Sequence, residues 1–229
     1  MAIGVLMLHG FSGGPYEIEP LAEYIRKHTD WIVETPTFCG HGENLSLKGI
    51  TGEHWLHDAE LAYKKLAEKV EKIYVVGFSM GGVIALYLAN RYPVEKLVLL
   101  SAAVKYIAPK QLLIELQKMA KEAVEGHLKN NELFKHYEYK LRNVPVSAAI
   151  QFMRIVRQVE PYVGSIQIPT FIVQGKCDGI VPYTTAQYLY DKLPTTEKYL
   201  YFSACGRHLI CYSDDCNSWF SDVLQFLKM

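Results

Sequence analysis

A serine stands in the pattern G-x-S-x-G in the first half of the chain, as Gly77-Phe78-Ser79-Met80-Gly81. The apolar residues IYVV before it predict a buried strand, and the segment GVIALYLANRY after it predicts an apolar helix. A serine at such a strand–turn–helix bend is pushed out at the end of the sheet, where the free N–H groups of the helix face it. The pattern predicts a nucleophile; the alternative is a glycine-rich turn whose serine caps the helix.

A serine hydroxyl becomes a good nucleophile only when a base takes its proton, and the usual base is a histidine held by a carboxylate. The chain has eight histidines. His9, His41 and His208 lie in loops that follow predicted strands, whereas the other five lie on predicted helices or within a helical insert. Position in the sequence alone does not choose among these three loop histidines.

Position in the sequence selects more clearly among the aspartates than among the histidines. Asp178 follows the apolar segment TFIVQG in a loop that reads GKCDGIVP, so it stands at the carboxyl end of a predicted strand. The alternative for Asp178 is an ordinary loop aspartate before a helix. Asp214 and Asp215 are predicted N-cap residues of the last helix. The remaining candidates lie inside predicted helices: Asp58, Asp191 and Asp222.

The elements that must position these residues alternate between strand and helix. The strands are predicted at 3–8, 31–34, 73–77, 96–101, 170–174 and 198–202, and the core helices at 15–28, 53–69, 81–91, 182–192 and 214–227. This alternation predicts an α/β fold in which a mostly parallel sheet of about six strands has helices on both faces, as a three-layer sandwich. Because ligands bind such sheets at the carboxyl ends of the strands, the chemistry is expected in the loops that follow strands.

An insert without predicted strands, residues 104–167, divides the predicted core into residues 1–103 and 168–229. Its spacing predicts three helices, at about 109–129, 132–141 and 145–159. Two apolar stripes either pack on the core or form a wall of an acyl pocket: Leu112, Leu113, Leu116, Met119, Ala120, Ala123 and Val124 in the first helix, and Ile150, Met153 and Val156 in the third. Residues 104–157 hold ten basic and five acidic side chains, which favours a solvated basic face over an anionic partner.

Five segments together carry a family resemblance: HGFSGG at 9–14, GHG at 40–42, GFSMGG at 77–82, GKCDGIVP at 175–182, and the late His208. In this combination the chain resembles the α/β-hydrolase fold, and more narrowly the small bacterial carboxylesterases and monoacylglycerol lipases. The resemblance extends over essentially the whole chain, and it implies that the insert is a helical cap, or lid.

The resemblance also implies a role for each site residue. Ser79 would be the nucleophile, Asp178 the acid and His208 the base, in the order along the chain that is typical of the fold. The oxyanion hole would consist of the backbone N–H groups of Phe11 and Met80. His9 and His41 would then hold loops in shape and take no part in the reaction.

Composition excludes several classes of protein. Half of the 229 residues are hydrophobic, and 24 basic side chains balance 24 acidic ones, so a nucleic-acid partner is not expected. Five cysteines without a C-x-x-C pair argue against a disulfide framework and a zinc site. We expect Cys177 and Cys205, beside the predicted acid and base, to be buried thiols; a redox link between them is the alternative. No apolar run reaches the length of about 20 residues that membrane insertion needs, so we expect the cytosol.

The function implied is a serine hydrolase that cleaves small-molecule carboxylic esters of short to medium acyl chains through an acyl-enzyme. No cofactor and no metal are expected. One alternative is a monoacylglycerol lipase or a thioesterase with the same three residues. A remoter alternative is a non-catalytic binding protein, because a fold does not by itself determine function.

Overall fold

The computed structural model describes residues 2–105 and 144–229 of the chain. In these ranges the strands are β1 (Ile3–Leu8), β2 (Ile32–Glu34), β3 (Lys72–Phe78), β4 (Lys96–Leu100), β5 (Thr170–Gly175) and β6 (Lys198–Ser203). The helices are α1 (Glu19–His28), α2 (Gly52–Ala67), α3 (Met80–Arg91), α4 (Val146–Val159), α5 (Tyr183–Lys192) and α6 (Cys216–Lys228). Short 3₁₀ turns are formed by Pro15–Glu17, Glu160–Ser165 and Ile210–Tyr212.

The described strands form one sheet in the order β2-β1-β3-β4-β5-β6, and every neighbouring pair is parallel. The predicted parallel sheet of six strands is therefore confirmed. Since all strands run the same way, the loops after β1, β3, β5 and β6 leave the sheet at the same edge. This edge holds the segments that carry the predicted site residues.

Helices cover both faces of the sheet, which explains why its central strands are apolar throughout. In β1, Val5 and Met7 pack with α1 and α6 on one face, whereas Leu6 and Leu8 pack with α2, α3, α4 and α5 on the other. All four of these side chains are fully buried. The three-layer sandwich predicted from the alternation of strands and helices is confirmed.

Element boundaries differ from the predicted ones mainly at helix starts. The predicted helix 15–28 is a 3₁₀ turn followed by α1, and the last helix starts at Cys216. Asp215 occupies the N-cap position of α6, but its carboxylate does not cap the helix. It accepts hydrogen bonds from Ser203 Oγ at 2.8 Å and Tyr201 Oη at 3.2 Å, and so ties β6 to α6. The predicted N-cap position of Asp215 is confirmed, although its side chain binds strand hydroxyls and makes no capping hydrogen bond.

The described part of the insert packs against the core. Helix α4 lies on α2 and α3, and Phe152 belongs to the same buried cluster as those helices. A Cβ on Gly52 would lie 2.9 Å from Ile155, so the glycine allows α2 to begin close to α4. Ile150 was predicted to lie in the apolar stripe, but it is 41% exposed. The buried face of α4 is instead the one that carries Phe152 and Ile155.

Two of the three predicted insert helices, 109–129 and 132–141, lie outside the described residues. The division into core and cap accordingly stays a prediction. Among the residues that the structure describes, no helix combines the length and the apolar character needed to cross a membrane.

Truncating Phe152 tests whether α4 is a structural part of the core. We expect Phe152→Ala to lower the free energy of unfolding by about 3–5 kcal/mol, because it opens a cavity between α4 and the core. Ile150→Ala, on the exposed side of the same helix, is the matched control and should change it by less than about 0.5 kcal/mol. Urea denaturation measures both values, and equal losses would show that α4 is not packed as described.

Candidate active site

Ser79 lies in a strained turn between β3 and α3. Its φ of 53° and ψ of −114° form a conformation that residues other than glycine seldom adopt. A Cβ on Gly77 would lie 2.3 Å from the carbonyl oxygen of Gly81, and one on Gly81 would lie 2.2 Å from that of Leu8. Only glycine fits at both positions, and this close packing allows the turn that presents the serine at the end of the sheet.

His208 is the loop histidine that the fold brings to Ser79. Its Nε2 lies 3.0 Å from Ser79 Oγ, and its Nδ1 lies 2.8 Å from Asp178 Oδ2. The side chains of Ser79 and His208 are only 6% and 4% exposed. A continuous chain of hydrogen bonds thus runs from a hydroxyl through an imidazole to a carboxylate, shielded from bulk water.

The carboxylate of Asp178 determines which nitrogen of His208 carries the proton. Burial acts to raise the pKa of Asp178, but the nearby charge of His208, the hydrogen bond from its ring and those from the Val181 and Ile180 amides together lower this pKa below its usual value. Asp178 is therefore ionised at neutral pH and can only accept hydrogen bonds. Nδ1 of His208 must be the protonated nitrogen, and Nε2 is free to accept a proton from Ser79.

Gln174, at the end of β5, is a site residue that our sequence analysis missed. Its Nε2 donates a hydrogen bond of 2.9 Å to Asp178 Oδ2, the oxygen that also binds His208, and one of 3.1 Å to the Val181 carbonyl. The side chain is 1% exposed. Its signal in the sequence was a polar residue within an apolar strand directly before the aspartate loop.

Phe11 and Met80 follow the ends of two neighbouring parallel strands, β1 and β3. Leu8 pairs with Gly77 in this register, and Phe11 and Met80 each stand three residues beyond a paired position. Met80 is the first residue of α3, where helix N–H groups have no partner within the helix. Both N–H groups therefore stand just beyond strand ends, at the edge of the sheet where Ser79 also lies.

An aromatic cluster links the loop of residues 9–14, called the Phe11 loop, to the insert. The ring of Phe11 stacks on Phe152 of α4, with 5.5 Å between ring centroids, and meets Trp55 of α2 edge-on at 5.8 Å. All three side chains are at most 4% exposed. The insert thus contributes a side chain to the packing immediately around the Phe11 loop.

The other two loop histidines bind main-chain atoms. His9 Nε2 accepts the Phe38 N–H at 3.1 Å and its Nδ1 donates to the Gly10 carbonyl at 2.8 Å, while His41 Nδ1 donates to the Cys39 carbonyl at 3.1 Å. Burial, together with the charge of His41, lowers the pKa of His9 to about 3, and burial lowers that of His41 to about 4. Both rings are neutral at pH 7.

Glu17 is a buried acid whose side chain contacts the Phe11 loop. Its Oε2 accepts the Gly10 N–H at 2.8 Å. Burial raises the pKa of this carboxyl to about 8, although hydrogen bonds from the Gly10 and Gly14 amides act to lower it. The carboxyl is therefore mostly protonated at neutral pH.

The cysteines beside the acid and the base differ from expectation. Cys177 and Cys205 are both exposed, so the prediction that they are buried is wrong. They stand in loops beyond the ends of β5 and β6, where side chains face the solvent. All five cysteines are free thiols, so the redox link is not formed. Within residues 2–105 and 144–229, no cluster of three or more His, Cys, Asp or Glu side chains could hold a metal ion.

Comparison with known proteins adds to this geometry. A family model described as "Serine aminopeptidase, S33" matches residues 4–215. The chain is 30% identical over 201 residues to a thermostable monoacylglycerol lipase from Bacillus sp. (strain H-257), covering 86% of this chain and 78% of the lipase. It is 25% identical over 226 residues to a carboxylesterase from Bacillus subtilis (strain 168), covering 98% of this chain and 92% of the esterase.

Solved structures share the fold at lower sequence identity. An esterase from Exiguobacterium antarcticum superposes with a TM-score of 0.76 and 19% identity, covering 100% of this chain and 92% of the esterase. The similarity confirms the predicted α/β-hydrolase architecture.

The buried titratable groups predict a stability maximum near pH 6.5. His9 and His41 have folded-state pKa values below their usual value of 6.5, so the unfolded chain binds protons that the native state does not, and stability falls as the pH drops below 6.5. Glu17 has a folded-state pKa above its usual value of 4.5, so its contribution is lost as the pH rises from 4.5 through about 8. Below pH 6.5 the stability lost through the two histidines is larger than the stability gained through the single acid.

Urea midpoints at pH 5, 6.5 and 8.5 should therefore be highest at pH 6.5. Glu17→Gln should flatten the decline on the alkaline side, because the amide does not titrate. Glu19→Gln, two residues further along the chain, is the matched control and should leave the profile unchanged. A midpoint that rises steadily from pH 5 to 8.5 would contradict the assignment of these buried groups.

Proposed function

The chain belongs to the serine aminopeptidase family of α/β-hydrolases, and on this premise we propose that it is a carboxylesterase acting through an acyl-enzyme intermediate. The observation that carries the proposal is the chain of hydrogen bonds Ser79–His208–Asp178, at 3.0 and 2.8 Å. The relatives named as a carboxylesterase and a monoacylglycerol lipase support ester cleavage as the reaction.

In the acylation step, His208 Nε2 takes the proton of Ser79 while Oγ attacks the ester carbonyl. A C–O bond forms, and the carbonyl electron pair moves onto the oxygen to give a tetrahedral oxyanion. Asp178 holds the ring of His208 in the required tautomer and stabilises the imidazolium that results. The intermediate then collapses, and His208 delivers its proton to the leaving alkoxide, so that the alcohol departs and an acyl-Ser79 ester remains.

Deacylation repeats the same proton transfers with water. His208 takes a proton from a water molecule, which attacks the acyl carbonyl and forms a second tetrahedral oxyanion. Collapse returns the proton to Ser79 Oγ and releases the carboxylic acid. The proposed chemistry uses side chains, main-chain N–H groups and water, and the proposal includes no cofactor.

The N–H groups of Phe11 and Met80 are the proposed oxyanion hole. Both residues follow neighbouring parallel strands at the edge of the sheet that holds Ser79, and this placement supports the assignment. A single donor of this kind typically lowers the barrier by about 2.7–4 kcal/mol, because it is oriented before the charge develops.

A small-molecule ester with a short to medium acyl chain is the proposed substrate. Part of the insert packs beside the Phe11 loop, which supports α4 as a wall near the acyl group. A second candidate function is monoacylglycerol hydrolysis, which the 30% identity to a monoacylglycerol lipase favours.

The cytosol is the proposed location, and a nucleic-acid partner is not part of the proposal. Five free thiols support a reducing compartment. A net charge of zero leaves no excess of basic side chains to neutralise phosphates.

Substitution of the three hydrogen-bonded residues tests the assigned roles. We expect Ser79→Ala and His208→Ala to lose several orders of magnitude in kcat. Asp178→Asn should lose a factor of about 10⁴ because the amide no longer holds the histidine tautomer. Asp215→Asn is the matched control, since its carboxylate binds strand hydroxyls away from the triad, and it should keep kcat within about threefold.

The measurements are p-nitrophenyl butyrate hydrolysis and mass mapping of a fluorophosphonate adduct, which should fall on Ser79. An adduct on another residue, or full activity in a folded Ser79→Ala protein, would overturn the assignment. An active His208→Ala enzyme together with an inactive His41→Ala enzyme would show that the base is His41.

A substrate series separates the candidate functions. On p-nitrophenyl esters from acetyl to palmitoyl, kcat/KM should rise up to about fourfold per methylene, at about 0.8 kcal/mol each, and then stop at short or medium chains. Met153→Trp should shift the optimum to shorter chains, whereas Ile150→Trp, on the exposed side of α4, should not. An optimum at long chains, with turnover of monoacylglycerol, would favour the second candidate. Faster hydrolysis of alanine p-nitroanilide than of any ester would favour an aminopeptidase.

A further inference from the structure

Glu17 places a carboxyl group directly beneath the Phe11 loop. The residue ends the 3₁₀ turn Pro15–Glu17, and its side chain is 3% exposed. A Cβ on Gly13 would lie 1.9 Å from Glu17 Oε2, and one on Gly10 would lie 3.1 Å from the same oxygen. The loop therefore wraps around the carboxyl group, and its glycines make that approach possible.

Both peptide units that flank Gly10 are held by hydrogen bonds. The Gly10 N–H donates to Glu17 Oε2 at 2.8 Å. The Gly10 carbonyl accepts from His9 Nδ1 at 2.8 Å and from the Gly13 N–H at 3.3 Å. Glycine has the widest choice of backbone angles, so these anchors, more than its own sterics, determine the conformation of Gly10.

The orientation of Gly10 determines where the Phe11 N–H points. In a planar trans peptide the C=O and the following N–H point in opposite directions. Rotation about the backbone bonds of Gly10 would turn the Gly10–Phe11 peptide unit and change the direction in which the Phe11 N–H points. The Glu17 hydrogen bond resists that rotation from one side of Gly10, while the His9 and Gly13 hydrogen bonds resist it from the other.

We propose that Glu17 is a positioning residue for the oxyanion hole, which orients the Phe11 N–H by holding the Gly10 amide. The proposal rests on the proposed function, in which the Phe11 N–H binds the developing oxyanion. Glu17 acts through the main chain of the loop and does not touch the reacting atoms.

The protonation state of Glu17 suits this role. Burial raises its pKa to about 8, so that near pH 7 the carboxyl is mostly neutral and its carbonyl oxygen still accepts the Gly10 N–H. The titratable groups around it are also uncharged: burial raises the pKa of Cys211 and also that of Tyr212, the latter to about 12, and His9 is neutral. The oxyanion therefore forms above a neutral acceptor, without a fixed negative charge to oppose it.

Four variants test the proposal. Glu17→Met removes the acceptor at nearly the same volume, Glu17→Asp shortens the reach to Gly10 by one methylene, and Glu17→Gln keeps a neutral acceptor. Glu19→Gln is the matched control, because Glu19 lies two residues away in a surface ion pair with Arg26. Each variant is assayed for kcat and KM on p-nitrophenyl butyrate and for inhibition by an alkyl trifluoromethyl ketone, whose adduct with Ser79 carries an oxyanion.

Glu17→Met and Glu17→Asp should each lose about 10- to 100-fold in kcat with KM within about threefold, since misplacing one donor weakens binding of the transition state and not of the ester. The inhibition constant for the trifluoromethyl ketone should rise in parallel with the loss of kcat. Glu17→Gln should keep kcat within about fivefold, and Glu19→Gln should match the unchanged protein.

A folded Glu17→Met or Glu17→Asp enzyme with unchanged kcat would overturn the proposal, as would a loss confined to KM. Should Glu17→Met fail to fold, Glu17→Asp decides the outcome by the same criteria. Ser79→Ala, measured in parallel, separates the two levels of inference. An active Ser79→Ala enzyme would contradict the proposed function itself. An inactive Ser79→Ala enzyme together with fully active Glu17 variants would contradict only the role of Glu17.

Discussion

The close packing of the turn at Ser79 against the end of β1 is the constraint on which the candidate site depends. With φ at 53°, the serine is held in a strained conformation that only dense surroundings can maintain. Gly77 and Gly81 permit this density, because a side chain on either would collide with a carbonyl oxygen. The same contact brings α3, with its unpaired N–H groups, beside the Phe11 loop, so one packing event positions both the hydroxyl and the proposed oxyanion donors.

Around this turn the protein keeps nearly every buried titratable group neutral. Burial lowers the pKa of His9 and His41 and raises that of Glu17, so none of the three carries much charge at pH 7. Asp178 is the exception: it stays ionised because two amides, Gln174 and His208 donate to its carboxylate. The charge of the hydrogen-bonded Asp178 carboxylate determines the tautomer of His208. The neutral His9, His41 and Glu17 place no negative charge that would repel the proposed oxyanion.

The described part of the insert packs against the helices of the core and shares their buried cluster. Helix α4 buries Phe152 between α2, α3 and the Phe11 loop, so a change in α4 reaches the site through one ring contact. This contact connects α4, the proposed wall near the acyl group, to the Phe11 loop.

The sequence by itself determined the six strands, their alternation with helices and the turn at Ser79, because these follow from periodicity and from glycines adjacent in the chain. Only the tertiary structure brought His208, and not His9 or His41, to Ser79. It also brought Gln174 to the Asp178 carboxylate and Glu17 to the Gly10 amide, and it left Ile150 exposed. Hydrogen-bond partners and helix orientation depend on strand register and on packing between distant segments, which local spacing does not encode.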